Sequence, residues 1–455
     1  MGKNPFLSTE GKKPYSEACL HSYKREVPDL KLIYVVIDGL GDLPSAELKN
    51  ETPLGMADTP NMDRLAWNGK TGLMYAVGKG IAPESDVAVI SILGYDPFKY
   101  STGRGVLEAV GVGLPIKNGD LALRCNFATI GRDNRIIDRR AGRDLNAREA
   151  QSLADGINQR VKLESYPATF KFKNTTGHRA VLIIERKDKP LSSKITNTDP
   201  AYTRVEGLGV AASDAAMVLK QCEPLDGSEE AKVAAVLVNE FTRKSCSVLN
   251  RHEVNKKRAA EGKLKANLIL SRDAGHLLPN FFNINNRYRV RFTCLADMPV
   301  ERGIAKLVGM HLVDLPPPSR DLKSDCLLRV RKLLDLLPRY DCFYIHIKGP
   351  DEPGHDGNFK LKTQLIETID KFLFGKLLPE IKLNNNIVCV TADHSTPCKL
   401  KNHSDDPVPV LIAGDRIKGD EVAKFSEKEC KKGSLGLLKR GTLLMPKLMR
   451  LLKSH

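Results

Sequence analysis

The sequence predicts an α/β protein: a doubly wound, mainly parallel sheet with a second, mixed α/β domain inserted into it. Three observations predict this. Continuous apolar, β-branched runs occur at KLIYVVIDG (31–39), CFYIHIKG (342–349) and NIVCVTADH (386–394), and such runs suit strands buried on both faces. A helical stretch, NFKLKTQLIETIDKFLFGKLL (358–378), separates the last two, giving the strand–helix–strand order of a parallel crossover. The middle of the chain instead mixes short strand-like runs with long polar helices. At 455 residues the chain exceeds one ordinary core, which argues for two domains.

The elements follow in order. Residues 1–30 are polar and lack the apolar centre of a signal peptide, so they read as an N-terminal extension. The core domain is expected over 31–118 plus 285–455. Within it, TPNMDRLAWNGKTG (59–72) offers Thr59 as a helix cap with Pro60 in the first turn. SDVAVISILG (85–94) opens on Ser85 as a capping residue, closes on Gly94 and is apolar between them, which predicts a short buried helix. The inserted domain is expected over 119–284, between the turn-rich PIKNGD (115–120) and LPNFFNI (278–284). It holds strand-like ALRCNFATI (122–130) and HRAVLIIE (178–185), and the helix EEAKVAAVLVNEFTRKSCSVLN (229–250).

Composition narrows the class. Hydrophobic residues make up 41% and charged residues 28%, as in a soluble globular protein, and no apolar stretch is long enough to span a bilayer. The ten cysteines are scattered without a CxxC pair, which suits reduced thiols in a cytoplasmic protein. The net charge of +16 favours attraction of small anions into a cleft. The densest basic stretch, Arg243 to Lys265, lacks interleaved aromatics and any nucleic-acid motif, so no nucleic-acid partner is expected. Oligomerisation is left open.

The chemistry gathers at strand ends. Asp38 follows the first strand, Asp351 and His355 follow the second in GPDEPGHDG, Asp393 and His394 follow the third, and His403 lies in KNHSDDP. Loops at the carboxyl ends of parallel strands converge on one crevice. Singly, each residue has an ordinary explanation as a turn, cap or surface group. Pro353 and Gly354 argue for a loop rather than a helix across Asp351–His355. Together, the three carboxylates and three imidazoles suffice for two divalent cations of the Zn²⁺ or Mn²⁺ kind. Such a pair clamps a phosphoryl group and activates an attacking oxygen. Ser85, where a loop meets a helix N-terminus, is the candidate nucleophile.

The blocks VIDGLGD, PESDVAVISILGYDP, STGRGVLEAVGVG, LRCNFATI, IIDRRAGRD, ITNTDP, HIKGPDEPGHDG and TADHSTPCKLKNHSDDPVPVLI resemble those of archaeal-type 2,3-bisphosphoglycerate-independent phosphoglycerate mutases. These belong to the alkaline phosphatase superfamily. The likeness is collinear from Lys31 to Leu452. It implies an alkaline-phosphatase-like core that interconverts 3-phosphoglycerate and 2-phosphoglycerate, in glycolysis and gluconeogenesis, through a phosphoserine at Ser85. It implies two divalent ions, manganese first, with zinc, cobalt or magnesium as alternatives, and no 2,3-bisphosphoglycerate. Asp38, Ser85, Asp393 and His394 would surround one ion, and Asp351, His355 and His403 the other. The inserted domain would hold and reorient the glycerate through Asn126, Asp138, Arg139 and Arg140, together with Arg104 and Lys348 from the core, with Asp138 as a candidate base. Arg302 would contact phosphate.

The chain departs from the family pattern at Glu84, where glycine is expected, and at Val87-Ala88-Val89, where Thr-Ala-His is expected. Gly349-Pro350 replace Ala-Thr, and Arg302 replaces Lys, trading an ammonium point charge for a planar fork. Two rival readings are a phosphatase or phosphodiesterase on the same core, which would admit water to the phosphoserine, and a non-catalytic basic binding protein.

Overall fold

A computed structural model of the chain describes residues 30–205, 208–211, 216–319 and 321–453. The expected N-terminal extension, apart from Leu30, and Cys19 lie outside them. Strands β1 (Lys31–Ile37) and β2 (Lys70–Met74) come first. Then come β3 (Leu121–Ile130), β4 (Ile136–Asp138), β5 (Ala168–Asn174), β6 (Arg179–Arg186), β7 (Tyr202–Val205), β8 (Leu208–Ala211) and β9 (Leu268–Gly275). The last group is β10 (Phe292–Leu295), β11 (His311–Leu312), β12 (Cys342–Ile347), β13 (Asn386–Thr391), β14 (Val408–Ala413) and β15 (Gly436–Leu438).

The first and last groups form one eight-stranded sheet in the order β11-β10-β12-β1-β13-β14-β2-β15. β14 runs antiparallel to both neighbours, and every other pairing is parallel. β1, β12 and β13 are buried along almost their whole length, which is why their sequences are apolar without alternation. The middle group forms an antiparallel sheet in which β3 pairs with β4, β6 and β9, and β5 pairs with β6. β7 and β8 form a separate two-stranded ribbon. Each large sheet has its own apolar cluster. One surrounds β1 and reaches from Leu30 to Leu452; the other is drawn from Leu121 to Ala274. Among the described residues, Cys125, Cys294, Cys389 and Cys430 are buried thiols, and no helix is long and apolar enough to cross a membrane.

Local chemistry revises three helix expectations. The helix Pro60–Asn68 has Thr59 at its N-cap, but Thr59 caps nothing with its side chain. Its orphan N–H groups at Asn61 and Met62 are taken instead by Asp370, at 3.2 and 2.8 Å. Asp370 opens a wide π-type turn, Asp370–Phe374, that interrupts the helix expected over 358–378 after Phe359–Ile369. Second, Ser85 is the first residue of its helix, Ser85–Ile92, and Glu84 is the cap. Third, Asp351–Asp356 is a one-turn helix rather than a loop. Pro353 is tolerated because first-turn N–H groups have no intrahelical partner to lose, and Gly357 closes the turn with φ +74°.

Two buried charges brace this architecture. Lys362, fully buried, donates to Gly41 O, Asp42 Oδ2 and Thr396 O at 3.0, 2.8 and 2.9 Å. It ties the segments after β1 and β13 to the helix Phe359–Ile369. Lys362→Met leaves Asp42 buried and unpaired. It is expected to lose about 3 kcal/mol of stability, read as a lowered urea midpoint. In the second sheet's cluster, Glu240 accepts from the N–H groups of Glu164 and Ser165 at 2.9 and 3.1 Å and pairs with Lys244 at 2.7 Å. Burial alone would raise its carboxyl; the Lys244 contact and the two backbone donors outweigh burial and bring it down to about 2. Its stabilisation is therefore complete above the unfolded value, about 4.5, and is lost as pH falls towards 2. Glu240→Gln is expected to be less stable than the parent at pH 7, with the gap closing through that window, as measured by urea unfolding at pH 7 and pH 3.

Candidate active site

Strand register builds the site. Ile37 of β1 pairs with Ile347 of β12, and Val36 pairs with Thr391 of β13. The residues just past these strands, Asp38, Lys348 and Asp393, therefore emerge side by side. Asp38 is 4% exposed and Asp393 and His394 are at most 1% exposed, so the strand ends are sealed rather than solvated.

Two sets of donors meet there. His394 Nε2 stands 3.2 Å from Ser85 Oγ, 3.4 Å from Asp38 Oδ1 and 3.5 Å from Asp393 Oδ2. Asp351 Oδ1 stands 3.5 Å from His355 Nε2 and 3.5 Å from His403 Nε2. The His394 and His403 rings stack at 3.8 Å and join the sets. Triads of mutually close donor atoms can also be drawn as Asp351, His394 and His403, and as Asp38, His346 and Asp393. The one-turn helix accounts for Asp351 and His355, which it holds four residues apart on one face.

This donor set fits divalent cations. Each imidazole rests its Nδ1 against an oxygen: His355 on Lys401 O at 3.2 Å, His403 on Pro83 O at 2.8 Å, and His394 on Thr396 Oγ1 at 3.0 Å. That arrangement puts the ring proton on Nδ1 and turns Nε2 inward, as in histidines that bind metal. Asp38 Oδ1 is buried without a hydrogen-bond partner. In the protein alone, protons and lysine balance the charge. Burial would push His403 down, but Asp351, Glu84 and the Pro83 carbonyl together outweigh it and lift the ring to about 10. Burial would raise Asp38, but Lys348, His394 and His346 together outweigh it and hold the carboxyl well below the usual range.

Behind this set lies a second row, of which sequence reasoning named Lys348 and missed His346 and Glu301. Lys348 Nζ bridges Asp38 Oδ2 at 3.0 Å and Glu301 Oε1 at 2.9 Å. His346 holds Asp393 Oδ2 with Nε2 at 3.3 Å, while its Nδ1 lies 3.8 Å from Glu301. The available signal was a histidine inside the apolar strand run CFYIHI. Glu301 and Thr396 gave none.

Ser85 and every other residue of its helix are buried. Glu84 beside it pairs with Arg104 Nη1 at 3.0 Å, and Arg104 Nε donates to Glu108 at 2.8 Å. Glu108 lies 3.6 Å from Arg124 of β3. Burial would raise Glu84, but Arg272, His403 and Arg104 together bring it down to about 2. An arginine–carboxylate chain thus runs from the serine's helix into the second sheet.

Of the remaining predicted residues, Asp138, Arg139 and Arg302 hydrogen-bond to groups outside the donor sets. Asn126, on β3, is buried with an unpartnered Oδ1. Asp138, Arg139, Arg140 and Arg143 line a cleft of about 290 Å³. Asp138 accepts from the N–H groups of Arg140 and Gly142, and Arg139 grips Asp199 with two nitrogens at 2.8 and 2.6 Å. Arg302 Nη1 is committed to Ala296 O and Val313 O at 3.3 and 3.1 Å.

Comparison with known proteins fits this geometry. A family model described as 2,3-bisphosphoglycerate-independent phosphoglycerate mutase matches residues 66–255. A relative of that name from Aeropyrum pernix is 42% identical over 431 residues, covering 93% of this chain and 100% of its own. A solved protein from Pyrococcus horikoshii superposes with a TM-score of 0.74 at 32% identity, covering 93% of this chain and 97% of the other. A solved cofactor-independent phosphoglycerate mutase from Thermoplasma acidophilum gives 0.59 at 32% identity, covering 93% and 100%. Joined with the strand-end donors and the buried serine, these relationships establish that the chain belongs to the 2,3-bisphosphoglycerate-independent phosphoglycerate mutase family.

Proposed function

We propose that this chain interconverts 3-phosphoglycerate and 2-phosphoglycerate through a phosphoserine at Ser85, without 2,3-bisphosphoglycerate and in the cytoplasm. The observation that carries the reading is Ser85 Oγ held 3.2 Å from His394 Nε2, at a helix N-terminus, within a cluster of carboxylates and imidazoles. We assign Asp38, Ser85, Asp393 and His394 to one divalent ion and Asp351, His355 and His403 to the other. His346 we place behind Asp393, because its other nitrogen faces Glu301. When bound, such ions, manganese by preference and zinc, cobalt or magnesium otherwise, stabilise a serine alkoxide and the charge on phosphoryl oxygens.

The chain's own groups do the rest. Ser85 Oγ gives up its proton and forms its bond to phosphorus as the bond from phosphorus to the 3-oxygen of glycerate breaks, and that oxygen takes up the proton to become a hydroxyl. Backbone N–H groups at the start of the Ser85 helix favour the phosphoryl oxygens. Glycerate then turns so that its 2-oxygen attacks the phosphoserine. Asp138 takes the 2-hydroxyl proton, and Ser85 Oγ leaves and regains a proton, which restores the hydroxyl. Asn126, Arg139 and Arg140 hold the glycerate, while Arg104 and Lys348 keep Glu84 and Asp38 in place around the serine. Arg302 braces its helix through backbone carbonyls, so we leave it outside the substrate set. Residues 119–284 act as the inserted domain that keeps water from the phosphoserine, since water there would release free phosphate.

Purified protein given 3-phosphoglycerate is expected to accumulate 2-phosphoglycerate; accumulation of inorganic phosphate instead would identify a phosphatase. Ser85→Ala is expected to lower the turnover by on the order of 10⁴-fold, with full activity in that variant excluding the phosphoserine. Chelation is expected to abolish turnover, and Mn²⁺ to restore it.

A further inference from the structure

The three inward-facing imidazoles differ in what holds them. His355 and His403 rest on backbone carbonyls, which only accept. His394 rests on the hydroxyl of Thr396, which both donates and accepts but has a single proton. Thr396 Oγ1 donates that proton to Asp351 Oδ1 at 2.7 Å. An ionised carboxylate has only acceptors, so the direction of this bond is fixed. The Thr396 oxygen is then left to accept, and it takes the Nδ1 proton of His394. His394 Nε2 is thereby the nitrogen left to a cation, facing Ser85 Oγ, Asp38 and Asp393.

Thr396 is itself immobilised. It is fully buried, its N–H donates to Gly41 O at 3.0 Å, and its carbonyl accepts from Lys362 Nζ at 2.9 Å. Space around the hydroxyl is closed as well: a Cβ on Gly39 would come within 2.8 Å of it. One side chain thus touches a donor from each assigned set, Asp351 from one and His394 from the other.

We propose that Thr396 is a positioning residue that couples the two cation sites, one hydroxyl fixing both the tautomer of His394 and the orientation of Asp351. The inference rests on the reading that these donors hold a pair of divalent ions. Loss of the hydroxyl frees the His394 proton to sit on either ring nitrogen and releases Asp351 Oδ1, so both sites degrade together.

The test titrates MnCl₂ into metal-free protein by calorimetry, alongside long-range ¹⁵N–¹H correlation of the histidine rings. Wild type is expected to bind two ions and to show His394 protonated on Nδ1. Thr396→Val, similar in shape but without the hydroxyl, is expected to bind Mn²⁺ about 10- to 100-fold more weakly and to show mixed His394 tautomers. Thr396→Ser is expected to restore both. If Thr396→Val does not fold, as judged by near-ultraviolet circular dichroism, Thr396→Ala against Thr396→Ser makes the same comparison. Weakened binding with the tautomer unchanged, a changed tautomer with binding unchanged, or a serine variant no better than valine overturns the coupling. Wild type that binds no Mn²⁺ overturns the ion-pair reading and this inference with it, whereas wild type and Thr396→Val binding alike overturns this inference alone.

Discussion

Crowded negative charge at the ends of three parallel strands is the constraint on which the rest of this molecule depends. Asp38, Asp351 and Asp393 are brought together by register and by a one-turn helix, in surroundings that exclude most solvent. Like charges at such range cannot all stay ionised unless cations stand among them. The protein supplies some of that compensation through Lys348 and the imidazoles. Asp38 Oδ1 nonetheless accepts no hydrogen bond, which leaves it open to a further positive charge. Folding and ligand capture therefore draw on the same electrostatic imbalance.

The second sheet is joined to this centre by charge as well as by packing. From Glu84, next to Ser85, the chain of Arg104, Glu108 and Arg124 crosses into β3. Arg272 of β9 stacks on Tyr202 at 3.4 Å from the ring centroid. Buried ion pairs are weak contributors to stability but strict about geometry, because a displaced partner leaves a charge alone in low dielectric. At Glu84 the resemblance implied a glycine, and the carboxylate found there is absorbed into an arginine lattice.

Much of this was legible in the sequence, for reasons particular to certain residues. The strands at 31–37, 342–347 and 386–391 stood out because burial on both faces requires unbroken apolar runs. The metal-type residues stood out because they followed those runs. The helix at 351–356 did not, because Pro353 and Gly354 lower helix propensity and only the first-turn position of Pro353 makes it harmless. The cap position of Pro60–Asn68 was legible at Thr59, but not that its donors are met by Asp370, 308 residues from Met62 and invisible to any local pattern. Thr396 and Glu301 act through contacts that only the assembled strand ends create, and nothing in their own neighbourhoods announced them.

The single turn at Asp351–Asp356 carries a consequence for how this chain can vary. Each residue advances a helix by about 100°, and here the two ligand-type side chains sit one turn apart with Gly357 reversing direction at once. One added or deleted residue between them would swing His355 to another side, with no longer helix to absorb the error. Length drift is thus forbidden inside DEPGHDG and permitted only beyond it. The motif is a fixed-length pin, and its spacing as much as its chemistry sets where His355 points.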